Sequence, residues 1–369
     1  MKSRERITAT LTGKPTDRVP YIAGMGLWGE TLKRWRSEGL DTDDWTSKFN
    51  FDAGLMSVSD FSGDVRLGLM PWFDGIIIEE KERSVIRRDI YGIVREDLRP
   101  EFGESLSNFL EYPVKTRDDW EKLKAERLDP ASPRLPENAA EIASRYNSGD
   151  RTIYLGEYPY GLFGTCRDLM GAENFLIACA EEPDLIGDMM NHLTDLWLSV
   201  YAQVVKHFKI DIIHMWEDMS GKQGSLISPA MVRAFMLPNY RRIRNFCDAN
   251  GIEIFSADTD GNVTELVPLF MEGGVNFIYP FEVASGCDVR EYRRKYPDLA
   301  IMGGVDKREL TKSKKEIDAV IKMVDEMMPF GRFIPAVDHH VHPEISWENF
   351  KYYAESLAEV IGVKCGDTE

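Results

Sequence analysis

Asp258 and Asp260 stand two residues apart in SADTDGN, followed by Gly261, which lets the backbone turn sharply. A two-residue spacing can send both carboxylates toward one cation. Half of the six histidines lie in DHHVHP, as His339, His340 and His342, and imidazole is the commonest nitrogen ligand for zinc. We read His339 as continuing the preceding apolar run with the phase to face inward, and the other two as loop surface. Glu217, in DIIHMWED, is the natural fourth donor. The expected metal set is therefore Glu217, Asp258, Asp260 and His339 around one divalent ion, with zinc the first choice.

Other carboxylates follow short apolar runs in the same way: Glu157, Asp218, Glu282, Asp306 (beside Lys307) and Asp338. Gathered around one mouth, they repel unless a cation or protons separate them. The plainer alternative for any one of them is the N-cap of the next helix, and for Asp218 and Asp306 that alternative is favoured. Aromatic residues crowd the same positions: Trp28, Tyr158, Tyr160, Phe163, Trp216 and Phe281. Trp28, Tyr158, Phe163 and Trp216, with Glu282, are expected to bind a flat, apolar substrate or a corrinoid face. His192, His207 and His214 are read as structural.

These groups need a frame that brings distant segments to one end. Eight short apolar runs end in polar or glycine residues: YIAGM, DAGLMSV, TIYLGE, DIIHMWED, IEIFSAD, VNFIYPFE, LAIMGGVD and FIPAVDH. Each is continuous enough to be a strand buried on both faces. Helical patterns separate most of them. Ile186, Met189, Met190, Leu193, Trp197, Val200 and Val204 recur at spacings of three and four, and Ser228-Pro229 is an N-cap and first-turn pair. Strand–helix alternation of this kind predicts an α/β chain, a distorted (β/α)8 TIM barrel with its site at the carboxyl ends of the strands. Residues 74–97 break the alternation and read as an inserted antiparallel hairpin. The polar stretch from Thr116 to Asp150 reads as a surface helix pair or an insertion. No linker divides the chain, so residues 1–369 are expected to form one domain.

Composition narrows the function. The 369 residues are 43% apolar and carry 62 acidic against 45 basic side chains, a net charge of −17. Binding nucleic acid or an anionic membrane takes a basic face, so both are excluded. The start, MKSRERITATL, carries charges where a signal peptide needs apolar residues, and no run approaches the roughly 18 apolar residues of a membrane span. Five scattered cysteines (Cys166, Cys179, Cys247, Cys287, Cys365) lack metal or disulfide spacing. A cytoplasmic enzyme is the expectation.

Four stretches together resemble the uroporphyrinogen decarboxylase superfamily: GKPTDRVP, SPAMVRAFMLPNYRRI, DTDGNVTELVPLFMEGGVN and DHHVHPEISWENF. The resemblance spans nearly the whole chain and implies a distorted (β/α)8 barrel. Decarboxylases of this superfamily carry an arginine-rich RQAGRY-like stretch that grips the substrate's carboxylates. Here AGMGLWGETLKRW stands in its place and the arginine pair is absent. The chain looks more like the cobalamin-linked methyltransferase branch. There a His-x-Cys-Gly motif and a late Cys hold zinc; here the matching positions are Asp258-Thr259-Asp260-Gly261 and His339.

The resemblance thus implies a methyltransferase that moves a methyl group from a methoxylated aromatic or methylated-amine donor to Co(I) of a separate corrinoid protein. Asp258, Asp260 and His339 would make a hard metal site that activates an oxygen or nitrogen leaving group. The cobalamin comes on the partner, since no Asp-x-His-x-x-Gly stretch is present; homodimerisation is left open. The alternatives are a decarboxylase or lyase acting on a small carboxylate other than uroporphyrinogen, and a non-catalytic binding subunit.

Overall fold

The computed structural model describes residues 1–59, 65–102 and 107–363. Seven parallel strands form one curled sheet in the order β1 (Leu55–Ser57), β6 (Thr152–Leu155), β7 (Ile212–Trp216), β10 (Ile254–Asp258), β11 (Phe277–Tyr279), β12 (Ala300–Val305) and β13 (Phe333–Val337). Most of these strands are buried on both faces, as continuous apolar runs require. Alternate residues divide between two cores. Ile212, Ile254, Phe277, Ala300, Met302, Ile334 and Ala336 pack inside the curl, while their neighbours face the surrounding helices. The architecture is TIM-like.

The first expected strand does not join the sheet. Gly24 and Gly26 adopt φ of +71° and +91°, which ends any extended run from Tyr21. The backbone of Tyr21 pairs with Asp52, through its carbonyl to the amide of Asp52 and its amide to the Asp52 carboxylate. An isolated parallel bridge, Leu27 to Val341, and a hydrogen bond from Tyr21 Oη to the Ala354 carbonyl tie the segment to the chain beyond β13. Ile22 and Met25 nonetheless line the interior, so the segment fills the seam between β13 and β1 without laddering. The helix Ser3–Thr12 sends Ile7 and Leu11 into the same interior core.

Residues 74–97 were expected to form a two-stranded hairpin. The structure extends that region into a four-stranded antiparallel sheet, β2 (Ile76–Glu80), β3 (Ser84–Arg88), β4 (Val94–Leu98) and β5 (Asn108–Glu111). Two helices, Arg117–Arg127 and Ala139–Ser148, occupy the polar stretch that follows. The seven residues expected on one face of helix Pro183–Val204 are all buried. Ser228 caps its helix by accepting from the Met231 amide. A small hairpin, β8 (Ser220–Gly221) with β9 (Gly224–Ser225), follows β7. Among the described residues no helix is long and apolar enough to cross a membrane.

Candidate active site

The carboxyl ends of β7 and β10 meet at Asp258. Its carbonyl accepts from the amides of Glu217 (2.8 Å) and Asp218 (3.2 Å), so the loop after β7 is folded over the end of β10. Asp218 is held there in the left-handed region, φ +40°, a conformation that costs a non-glycine residue energy. Its carboxylate takes Arg167 at 2.7 Å. Gly261 turns at φ +78°, and a Cβ there would sit 2.6 Å from the carbonyls of Ser220 and Gly221. The sharp turn after the two aspartates is thus a backbone necessity.

The Asp258 side chain is 8% exposed and lines a cavity of about 650 Å³ with Tyr154, His214, Trp216, Tyr279 and His340. Burial, reinforced by the charges of Asp260 and Asp218, pushes its pKa well above the ordinary 3.8. The shift favours the neutral acid, the form of a carboxyl that can donate a proton. His214 is buried beneath it. Loss of water drives the imidazole pKa down to about 3, so the ring is neutral. It stacks on Tyr279 with 5.2 Å between ring centres, and its Nδ1 lies 2.8 Å from Ser256 Oγ.

His214, read as structural, is buried and hydrogen-bonded to Ser256, and it also lines the cavity. The signal was the alternation of β7: Ile212, His214 and Trp216 share the inward phase with Ile254, Ser256 and Asp258 of its neighbour.

His339 and Asp260 come together: Nε2 lies 3.4 Å from Asp260 Oδ2. That partner raises the imidazole pKa above 6.5 against the cost of burial. His339 gets there by a bend, since β13 ends at Val337 and the inward phase passes to Asp338. The Asp338 carboxylate instead accepts from the amides of Val283 and Lys307, tying two loops together. His340 and His339 pack near Trp28, at 5.2 and 6.4 Å between ring centres.

Glu217 does not join them. Its two carboxylate oxygens accept from the amides of Leu162, Phe163 and Gly164, where helix Leu162–Met170 begins, and from Tyr240 Oη at 2.6 Å. Fully buried, it anchors a helix start and has no oxygen to spare for an ion. Among the described residues, no three His, Cys, Asp or Glu side chains stand close enough to hold a metal. The expected ligand set is not assembled: Asp260 and His339 pair with each other, and Asp258 turns to the cavity.

Two of the expected substrate contacts also have other work. Phe163 is fully buried against Phe175, 4.8 Å away, because its position lies on the inner face of its helix. Glu282 accepts from the Gly261 amide (3.0 Å) and Lys307 Nζ (2.9 Å), bracing three loops. Tyr158 and Trp28 are about half exposed at the mouth, and Trp216 stands in the cavity wall. Four cysteines are buried free thiols; Cys365 lies outside the described residues.

A TIM-like sheet with a buried acid at its carboxyl end defines a barrel enzyme. Residues 100–360 match the model of the family described as "Uroporphyrinogen decarboxylase (URO-D)", and the chain belongs to that family. Among solved structures it is similar to a methyltransferase from Methanosarcina mazei, with a TM-score of 0.58 and 14% identity over 97% of this chain and 99% of that one. No curated protein sequence matches it.

Proposed function

We propose that this chain is a methyltransferase of its family, taking a methyl group from a methoxylated aromatic or methylated-amine donor. The acceptor in this reading is Co(I) of a corrinoid on a separate protein, which supplies the nucleophile for in-line displacement at the methyl carbon. The observation that carries the proposal is Asp258, a buried carboxyl whose pKa is pushed up, in a cavity lined by Tyr154, Glu157, His214, Trp216 and Tyr279. An aryl ether is a poor leaving group until its oxygen is protonated or polarised. As the methyl–oxygen bond breaks, its electron pair stays on oxygen, and the Asp258 proton moves to that oxygen. The neutral His214 adds no charge beside Asp258, and Tyr154 donates to Glu157, which lines the same cavity. The fold likeness to a methyltransferase supports the reading.

Decarboxylation of uroporphyrinogen is disfavoured by the segment after Tyr21. Its arginine, Arg34, is engaged with Glu38 and the Pro343 carbonyl, which leaves no clamp for a polycarboxylate.

The test is consumption of free Co(I) cobalamin with methoxyarenes graded by phenol pKa. Asp258→Asn is expected to slow transfer about a hundredfold, most for the poorest leaving groups. An equal loss across the series would remove Asp258 from the leaving-group role. No methyl transfer from any methoxyarene or methylamine would end the methyltransferase reading.

A further inference from the structure

The Asp258 carboxyl, in a residue 8% exposed, has no hydrogen-bond or ion-pair partner among the described residues. The charges that bear on it, Asp260 and Asp218, are of its own sign. The strand register sets it between two rings, since Asp258 pairs with Trp216 on β7 and with Tyr279 on β11. Directly paired residues project to the same face. Glu157, just beyond β6, is a second carboxyl in the lining, and it accepts from Tyr154 Oη at 3.3 Å.

Among the described residues no charged side chain of the opposite sign lines this end of the cavity. His214 is neutral, and burial and the charge of His339 push the His340 imidazole down. Arg151 precedes β6 and so stands at the amino ends of the strands, as does Asp52, whose carboxylate is held by Arg6 and Arg18. A second cavity, a cleft of about 980 Å³, lies between the antiparallel sheet and the barrel mouth and shares Tyr158 and Trp216 with the first. None of the four arginines in its lining, Arg87, Arg88, Arg95 and Arg167, lines the cavity of Asp258. Arg167, over the Trp216 ring, is held by Asp218 and Asp168.

A buried carboxyl so placed takes up either a proton or a cation. A quaternary ammonium is held by open aromatic faces, and here Arg167 covers one face of Trp216 while Tyr279 stacks on His214. An ammonium that carries an N–H suits the site better, because it brings both the missing charge and the missing donor. We propose that the cavity takes a protonated methylamine, its N–H donating to the Asp258 carboxylate. In transfer, the carbon–nitrogen bond breaks with its electron pair left on nitrogen, and a neutral amine departs. The new bond to the methyl carbon takes the electron pair of Co(I). No proton has to be supplied, so Asp258 acts on this donor as a counter-ion, whereas a methoxyarene draws on its proton. The donor chemistry rests on the methyltransferase reading; the cation site does not.

The test needs no acceptor. Titration calorimetry at pH 7 compares three probes on the full chain: protonated 2-(dimethylamino)ethanol, its neutral isostere 3-methylbutan-1-ol, and choline, which has the charge but no N–H. The wild type is expected to bind the protonated amine at least ten times more tightly than the alcohol and several times more tightly than choline. Asp258→Asn is expected to erase most of the preference over the alcohol and to change alcohol binding less than twofold, with the fold checked by circular dichroism. Should that variant fail to fold, the three probes on the wild type decide alone. Equal binding of amine and alcohol, choline binding as tightly as the amine, no binding of any probe at millimolar concentration, or an unchanged preference in Asp258→Asn would each overturn the proposal. Amine selectivity without methyl transfer to Co(I) cobalamin would leave this site standing and sink the transferase reading alone. Transfer from methoxyarenes without amine selectivity would do the reverse.

Discussion

Tyr158 and Trp216 meet edge to face with 4.6 Å between ring centres, and both residues line both cavities. The pair is the wall between the arginine-bearing cleft and the buried acid. Arg167 stacks over the cleft side of this arrangement, 4.8 Å from the Trp216 ring, and so couples the wall to Asp218.

Opening that wall should be felt in binding first. Trp216→Ala is expected to weaken an aromatic ligand about tenfold and to cost roughly 3 kcal/mol of stability, the usual price of deleting a large packed ring. Trp216→Phe should retain most of both. Calorimetric binding and a denaturant melt on the two variants make the comparison, and an unweakened ligand in Trp216→Ala would show that the ring is not a binding surface.

Glu217 should behave as a structural residue. Glu217→Ala leaves three amides and the Tyr240 hydroxyl without their acceptor, an expected loss of about 3 kcal/mol. Glu217→Gln keeps one oxygen and should lose less. In both, any bound divalent ion should be undiminished per folded chain. Loss of metal in the Gln variant, measured by elemental analysis, would return Glu217 to the ligand set.

The His339–Asp260 pair makes a pH prediction. The folded-state pKa of His339 lies above 6.5 because Asp260 favours the imidazolium. The stabilisation it contributes is complete below 6.5 and disappears as pH rises through the folded value. Asp260→Asn should lower that pKa, read from the His339 ring protons by NMR. A pair alone also holds a divalent ion weakly, so zinc is expected to leave on dialysis against a mild chelator. An ion that resists dialysis would mean that Asp258 swings to join the pair.

Asp168 tests burial in the cleft. Loss of water raises its pKa from 3.8 to about 6 despite Arg167 beside it. A folded state that holds the proton more tightly than the unfolded chain gains stability as pH falls from about 6 toward 4 and is penalised above 6. The penalty at pH 7 is on the order of 2–3 kcal/mol. Asp168→Asn should remove it, so the variant's stability relative to wild type should rise between pH 4 and 7. A constant difference across that range would mean Asp168 is ionised throughout.

Much of the frame is legible in residue order. Seven of the eight expected strands form because a strand buried on both faces reads as a near-continuous apolar run, broken in β7 and β10 by the inward His214, Ser256 and Asp258. YIAGM reads the same but fails, since hydrophobicity does not reveal that Gly24 and Gly26 turn the backbone away. The antiparallel sheet is wider than its hairpin signal because Asn108–Glu111 is too short and polar to announce itself.

At the site, the sequence alone determined which side chains stand at strand ends: Asp258 and Asp260 before an obligatory glycine turn, and His339 just past the last strand. The tertiary structure decided what each one faces. Glu217 went to helix amides, His339 to Asp260, and His214 moved from a presumed structural role to the cavity floor. The reason is physical. Spacing along a strand sets direction to within a half-turn, but a hydrogen bond forms or fails within about half an ångström. That last distance is set by the curl of the sheet and the packing of loops from segments far apart in the chain.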